Sequence, residues 1–260
     1  MSHNSSALIG YTGFVGSNID HKDRFTDRYN SSNIDDIVDK EFELVICAGV
    51  QAVKWWANQN EAVDFEQIEA LKKRLSTIKT NRFILISTVD VYPTPSDTPN
   101  ELTDINANTL EPYGRHRYEL EQWVINNFPN SNIIRLSALH GKNLKKNVIY
   151  DLMNNNLIDH INGSSSFQWY DLNLLWDDIL TTIDNNLSIV NLVTEPISTK
   201  EIVDQCCPDT HINYKPDNAV AYNIKTIHDE IFGGKSGYRY NANESLDRIE
   251  NYITNTSKND

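Results

Sequence analysis

The chain has 260 residues, 39% of them hydrophobic, and 23 Lys and Arg against 36 Asp and Glu give it a net charge of −13. That length buries a sizeable core and suits one large domain or a domain with a smaller lobe. The acidic residues are spread along the chain without a basic face, which argues against nucleic acid as a partner and for a solvated surface.

No stretch reaches the roughly 18 apolar residues of a membrane helix. Met1 to Ser6 has neither the basic region nor the apolar core of a signal peptide. Cys47 sits in an apolar run, adjacent Cys206 and Cys207 could pair only as a strained vicinal disulfide, and no Cys/His spacing suggests zinc. The expectation is a reducing, cytoplasmic setting with no metal and no membrane.

In chain order, Ala7 to Gly10 reads as a short buried strand ending in glycines, and Phe14 to Ile19 as a helix start. Arg24 to Tyr29 reads as a short second strand. Glu43 to Ala48 is a continuous apolar run stopped by Gly49, as expected of a strand buried on both faces. Val63 to Ile78 places Phe65, Ile68, Leu71, Leu75 and Ile78 at helical spacing with Lys72, Lys73 and Arg74 outward. Arg82 to Ser87 is another buried strand, followed by a loop marked by Pro93, Pro95 and Pro99. Tyr113 to Phe128 is a long helix closed by Pro129-Asn130, and Asn132 to Leu136 a further strand.

Beyond Gly141, Val148 to Ile158 and Leu174 to Ile183 read as helical, with Asn162 to Ser166 a turn between them. Leu187 to Val193 reads as a strand. Asn243 to Tyr252 is a closing helix capped by Asn243. Strands alternating with helices predict a doubly wound parallel sheet.

Three segments carry chemistry. Gly10-Tyr-Thr12-Gly13-Phe14-Val15-Gly16 follows a strand and opens a helix, a context in which glycines let a pyrophosphate approach the backbone and the helix amides receive it. Ser87 and Thr88 stand at the end of a buried strand, where open parallel sheets bind ligands. Tyr113 and Arg117 lie four apart on one helix face, and a cation beside a tyrosine favours its phenolate and fits it for general acid/base work.

The order of these segments resembles the extended short-chain dehydrogenase/reductase family, also called the NAD-dependent epimerase/dehydratase family. Gly10 to Gly16 matches its GxxGxxG and Tyr113 the tyrosine of its YxxxK. Ser87 to Tyr92 is similar to the segment that supplies its catalytic serine or threonine, placing Thr88 in that role. Cys47-Ala48-Gly49 stands where the family has an alanine-rich strand end against the cofactor. Arg135 to Gly141 and Phe167 to Asp171 resemble its RLxNxYG and FxYVDD segments.

The resemblance implies a Rossmann-type domain at 1–140, to which 168–195 returns, and a small substrate lobe from 141–167 and 196–260. It implies an NAD(P)-dependent oxidoreductase or epimerase acting on a sugar or nucleotide sugar. The catalytic residues would be Thr88, Tyr113 and Arg117. The cofactor would be held by Gly10, Thr12, Gly13, Phe14, Val15, Gly16, Asn30, Ser31, Ala48, Gly49, Ser87, Tyr113 and Arg117. It also implies pairing into a homodimer through Val63 to Ile78 and Tyr113 to Phe128.

Several positions depart from the family. Arg117 replaces the lysine that binds the nicotinamide ribose and lowers the tyrosine pKa, and arginine is not its equivalent. Only about thirty residues separate Gly16 from the next buried strand, so a strand-helix unit is trimmed. No acid follows the second strand near Asn30 and Ser31, which tilts the expectation from NAD toward NADP. Ala138 stands at the usual asparagine, and Ser164-Ser165-Ser166 where sugar-nucleotide enzymes carry an arginine. These departures keep a second reading open, a dinucleotide-binding regulatory or scaffold protein that has lost catalysis. His116 is expected to be exposed, His140 to approach the active-site side, and Trp55-Trp56 to pack over the domain edge. Phe232 to Ser236 is expected to be a turn.

Overall fold

A computed structural model describes residues 5–93 and 98–256; Met1 to Asn4 and Pro95 lie outside these described residues. The elements, in chain order, are β1 (Ser6–Ile9), α1 (Phe14–Ile19), β2 (Asp27–Tyr29), β3 (Glu41–Cys47), α2 (Lys54–Gln59), α3 (Glu61–Leu75), β4 (Lys79–Thr88), α4 (Pro112–Asn127) and β5 (Ser131–Leu136). They continue with β6 (Ala138–His140), α5 (Val148–Met153), β7 (Ser166–Phe167), β8 (Trp169–Asp171), α6 (Leu175–Asp184), β9 (Ile189–Leu192), β10 (Ile197–Ser198), α7 (Thr199–Cys206) and α8 (Ala242–Thr256).

The chain divides into two compact units. The first comprises Met1–Pro93, Thr103–Arg135 and Ile179–Val190. Its six-stranded sheet has the order β2-β1-β3-β4-β5-β9. Strand β1 pairs in parallel with both β2 and β3, and β3 in parallel with β4 in the register Val45 to Phe83. The apolar runs of the sequence are the sheet interior: all of β1 is buried, and Val45, Ile46, Cys47, Phe83, Ile84 and Leu85 are 0–1% exposed. Each such side chain contributes roughly 1.5–3 kcal/mol by leaving water.

On one face, Ile68 and Leu75 of α3 and Leu120 and Val124 of α4 cover the sheet, and the Phe128 ring stacks on Phe83 with centroids 4.3 Å apart. This is a doubly wound Rossmann-type fold. Only a short 3-10 turn, Ile34–Ile37, connects β2 to β3, so one strand-helix unit is missing and β1 lies directly between them. The chain reverses its winding at β1, which is where open sheets of this kind receive ligands.

The second unit comprises Thr94–Leu102, Leu136–Asp178 and Asn191–Asp260. It holds two small pairs, β6 with β8 in parallel and β7 with β10 antiparallel, over a core of Ile149, Trp169, Ile202, Val203 and Ile249. Glu101 is tied into it by accepting the Asn191 and Ile227 amides at 2.8 and 2.9 Å and the Thr226 hydroxyl at 2.6 Å.

Several local expectations are corrected. The helix from Val148 stops at Met153, because Asn155 and Leu157 both take positive φ, 49°, which a helix cannot contain. The closing helix starts at Ala242, and it is Asn241 Oδ1 that accepts the Glu244 amide at 2.9 Å, so the cap is Asn241 rather than Asn243. Two further helices, α2 and α7, form; Ser198 and Glu201 make a reciprocal capping box on α7. Trp55 is 65% exposed rather than packed. Phe232 to Ser236 is a turn, with Gly233 in the left-handed region.

Candidate active site at the carboxyl edge of the sheet

The site is assembled within the first unit from the carboxyl ends of β1, β3 and β4. Gly10 closes β1 at φ +85°, and a Cβ there would overlap the Ala48 carbonyl and the Gly49 Cα at the end of β3. Glycine is therefore required for the loop to lie against β3. The Gly13 amide turns back to donate to the Gly10 carbonyl at 2.9 Å, and Ser17 makes the first helical bond of α1, to Gly13, at 2.9 Å. The amides of Phe14, Val15 and Gly16 precede that bond. Thr12 and Gly13 are exposed, and a Cβ on Gly13 would meet only the Gly10 oxygen, at 3.2 Å. The loop thus presents open backbone of the kind that fits a dinucleotide pyrophosphate.

On the side of β2, Asn30 Nδ2 donates to the Tyr11 hydroxyl at 3.3 Å, and Asn30 Oδ1 accepts from the amide and hydroxyl of Ser32 at 2.9 and 2.6 Å. Ser31 is exposed. Arg28, just upstream, is committed to Asp20 at 2.7 Å and to the carbonyls of Phe25 and His21. It is not directed to the Asn30–Ser31 turn.

At the end of β4 the two adjacent hydroxyls separate. Ser87 donates to the buried Glu121 at 2.5 Å, and Glu121 is also gripped by Arg135, which in turn donates to the Tyr92 hydroxyl at 2.7 Å. Thr88 instead accepts the Asp90 amide at 3.1 Å, with its hydroxyl 3.5 Å from an Asp90 carboxylate oxygen. Tyr113 opens α4, where Asn58 Oδ1 of α2 accepts its amide at 2.9 Å. The next residue is Gly114, where a Cβ would overlap the Asp90 carbonyl, so the helix start rests directly on the Asp90 backbone. Burial pushes the Tyr113 phenol up to about 12; Arg117, Thr88 and Lys54 oppose the rise and Asp90 adds to it. At neutral pH the group is protonated.

Arg117 is 4% exposed and held by Asp64 of α3 through both carboxylate oxygens, at 2.5 and 2.9 Å. Its remaining contacts are the Gln51 carbonyl at 2.6 Å and the Tyr113 carbonyl at 3.3 Å. The guanidinium lies over the Tyr113 ring, 4.0 Å from its centroid, rather than at the hydroxyl. His116 is buried, not exposed, with Nδ1 2.7 Å from Asp64 Oδ2 and its ring edge-on to Phe65. The carboxylate on the facing helix draws it inward. Burial pushes the Asp64 carboxyl up, but the hydrogen bonds and charges of Arg117 and His116 outweigh it and hold it below the usual value.

Asp64, Lys54, Asn58 and Gln51 are site residues that the sequence reading passes over. Asp64 carried a signal: at i, i+4, i+7 and i+11 with Ile68, Leu71 and Leu75, it is an acid on an apolar helix face. His140 belongs to the second unit, fully buried with its ring 5.6 Å from that of Tyr252, and burial pushes its imidazole down to about 4.

Among the described residues, no group of His, Cys, Asp and Glu could hold a metal ion and no helix is long and apolar enough to cross a membrane. Comparison with curated proteins gave no match. Among solved structures, the chain is similar to a dTDP-4-dehydrorhamnose reductase from Clostridium acetobutylicum, with a TM-score of 0.73 and 14% identity over 97% of this chain and 99% of that one. A UDP-glucose 4-epimerase from Thermotoga maritima, solved with UDP-glucose, gives 0.72 and 14% over 97% and 99%. RMD from Pseudomonas aeruginosa, complexed with NADPH, gives 0.67 and 16% over 96% and 99%. The sequence model of the NAD dependent epimerase/dehydratase family matches residues 19–161, a stretch that begins after the glycine loop and includes Thr88, Tyr113 and Arg117. The chain belongs to the NAD dependent epimerase/dehydratase family.

Proposed function

We propose that this protein is an NAD(P)-dependent oxidoreductase or epimerase acting on a hydroxyl or ketone of a nucleotide sugar, with Tyr113 as the acid/base group. The observation that carries this reading is the place of the buried Tyr113 at the start of α4, where Gly114 rests on the Asp90 carbonyl two residues beyond Thr88, on the same sheet edge as the open glycine loop. Gly10 to Gly16 would hold the pyrophosphate, Ala48 and Gly49 would form the floor beside it, and Asn30 and Ser31 would meet the adenosine ribose. The bound nicotinamide would supply or accept the hydride. Thr88 would hydrogen-bond the reacting oxygen. Tyr113, protonated in its resting state, would give that oxygen a proton as a carbonyl becomes an alcohol, and reclaim it in the reverse direction. The substrate class is supported by the neighbours that carry nucleotide sugars. The lack of an acid on the β2 side favours NADP.

The test is a thermal-shift comparison with NAD, NADH, NADP and NADPH, followed by turnover of UDP- and dTDP-linked hexoses with the dinucleotide that stabilises. One dinucleotide should raise the melting point. Tyr113→Phe should keep that shift and lose turnover by about 10²–10⁴-fold. No shift with any dinucleotide, or full activity in Tyr113→Phe, refutes the assignment. The capture of Arg117 by Asp64 favours one rival, a dinucleotide-binding protein without catalysis. It predicts the shift without turnover in the unmodified protein.

A further inference from the structure

We propose that Glu121 and Arg135 are positioning residues: their buried ion pair anchors both ends of the segment Ser87–Tyr92 and so sets Thr88 against the start of α4. The proposal rests on the reading of Tyr113 as the acid/base group.

Beyond Thr88 the chain leaves the sheet as one 3-10 turn, Val89–Val91. The bonds of that turn are local: the Asp90 amide donates to the Thr88 hydroxyl at 3.1 Å, and the Tyr92 amide to the Val89 carbonyl at 3.0 Å. Such bonds shape the turn without tying it to α4. The buried side chains of Val89 and Val91 set its depth, but apolar burial is non-directional and does not fix its position along the helix.

Two side-chain hydrogen bonds supply that fix. Ser87, at the near end, donates to Glu121 at 2.5 Å. Tyr92, at the far end, accepts from Arg135 Nη1 at 2.7 Å. Arg135 Nη2 and Nε meet the Glu121 carboxylate at 2.6 and 3.1 Å, so both ends of the segment close on one ion pair. Helix α4 completes the arrangement. Gly114 and Glu121 are seven residues apart, two turns and about 10 Å along one helix face. A Cβ on Gly114 would lie 2.2 Å from the Asp90 carbonyl oxygen, while Glu121 receives Ser87. That face of α4 therefore meets the segment at two points, one on either side of Thr88, and its first point adjoins Tyr113.

Stability alone does not call for this pair. Glu121 is 0% and Arg135 2% exposed. Taking two charges out of water offsets much of their attraction, and apolar side chains of similar volume commonly serve a fold as well or better. Apolar side chains cannot hold two hydroxyls at fixed points, because hydrogen bonds are directional and apolar burial is not. Thr88 lies between the two hydroxyls that the pair holds.

The experiment combines amide hydrogen exchange, melting and steady-state kinetics on Ser87→Ala, on Tyr92→Phe and on the triple variant Glu121→Leu/Arg135→Met/Tyr92→Phe. Exchange at the amides of residues 90 and 92 should quicken by about tenfold or more in each, with the β4 amides of Phe83 to Leu85 unchanged. The triple variant should melt within about 3 °C of the parent, since it removes the pair together with the hydroxyl that meets it. Its kcat should fall by about 10- to 100-fold through misplacement of Thr88, with dinucleotide Kd unchanged. Each single variant should lower kcat by a smaller factor. A purely structural pair gives the opposite split, a lower melting point with kcat retained. A folded triple variant with parental kcat overturns the proposal. So does parental exchange at residues 90 and 92 in the two single variants, which covers the case in which the triple variant does not fold. Exchange requires no turnover, so the two readings separate. If Tyr113→Phe keeps full activity, the acid/base reading falls whatever the exchange shows. If Tyr113→Phe abolishes activity and the triple variant keeps kcat, the acid/base assignment stands and the role of the pair falls.

Discussion

Replacing Asp64 with alanine removes one carboxylate and strands two donors. In the native fold that carboxylate accepts from Arg117 at 2.5 and 2.9 Å and from His116 at 2.7 Å, with all three residues 2–4% exposed. Removing one partner of a buried, hydrogen-bonded ion pair costs about 3–5 kcal/mol, chiefly because the remaining charge stays buried without compensation. At roughly 2–4 °C per kcal/mol for a chain of this size, the melting point should fall by about 6–20 °C.

The assay is circular dichroism melting from pH 3 to pH 8. The Asp64 carboxyl is held below its ordinary value in the folded protein. Its contribution is therefore present above the unfolded value near 4 and lost as pH falls through the lower folded value. The gap between the two proteins should be full at pH 7 and close below pH 4. Arg117→Met should cost less than Asp64→Ala, because the carboxylate then keeps its hydrogen bond with His116. Adding Arg117→Met to Asp64→Ala should restore part of the loss, since no guanidinium is left stranded. An Asp64→Ala protein that melts within about 3 °C of the parent at pH 7 refutes the reasoning.

Two further outcomes follow from close packing at the same edge. Gly114→Ala puts a methyl group onto the Asp90 carbonyl, so the first turn of α4 must shift; melting should fall and turnover should drop with Tyr113 displaced from Thr88, both read on one purified variant. Glu121→Ala leaves Arg135 buried and unpaired and frees the Ser87 hydroxyl, at a cost of about 3–5 kcal/mol by urea unfolding, whereas Ser87→Ala should cost only about 1–3 kcal/mol.

The elements most legible in the sequence are those whose cause is local. Apolar runs at Ala7, Val45 and Phe83 are strands because each buries both faces, and the glycine loop follows from backbone needs stated within seven residues. The missing strand-helix unit is visible in the short spacing after Gly16, and the sheet order agrees with it. Some local signals were present and passed over: Ser198-Thr-Lys-Glu201 is a capping-box pattern that announces α7. The end of α5 was not legible in periodicity, because it is set by backbone at Asn155 and Leu157 rather than by the apolar spacing.

Thus the sequence by itself determined the order of strands and helices and the candidate residues Thr88 and Tyr113. Their surroundings were decided only by tertiary structure. Arg117 and Asp64 are 53 residues apart, Ser87 and Glu121 34 apart, and Lys54 and Asp90 36 apart. Periodicity reports which residues share a face within one element, and it is blind to which face another element lays against it. For that reason His116, expected at the surface, and Arg117, expected to serve Tyr113, are both buried on an acid from α3.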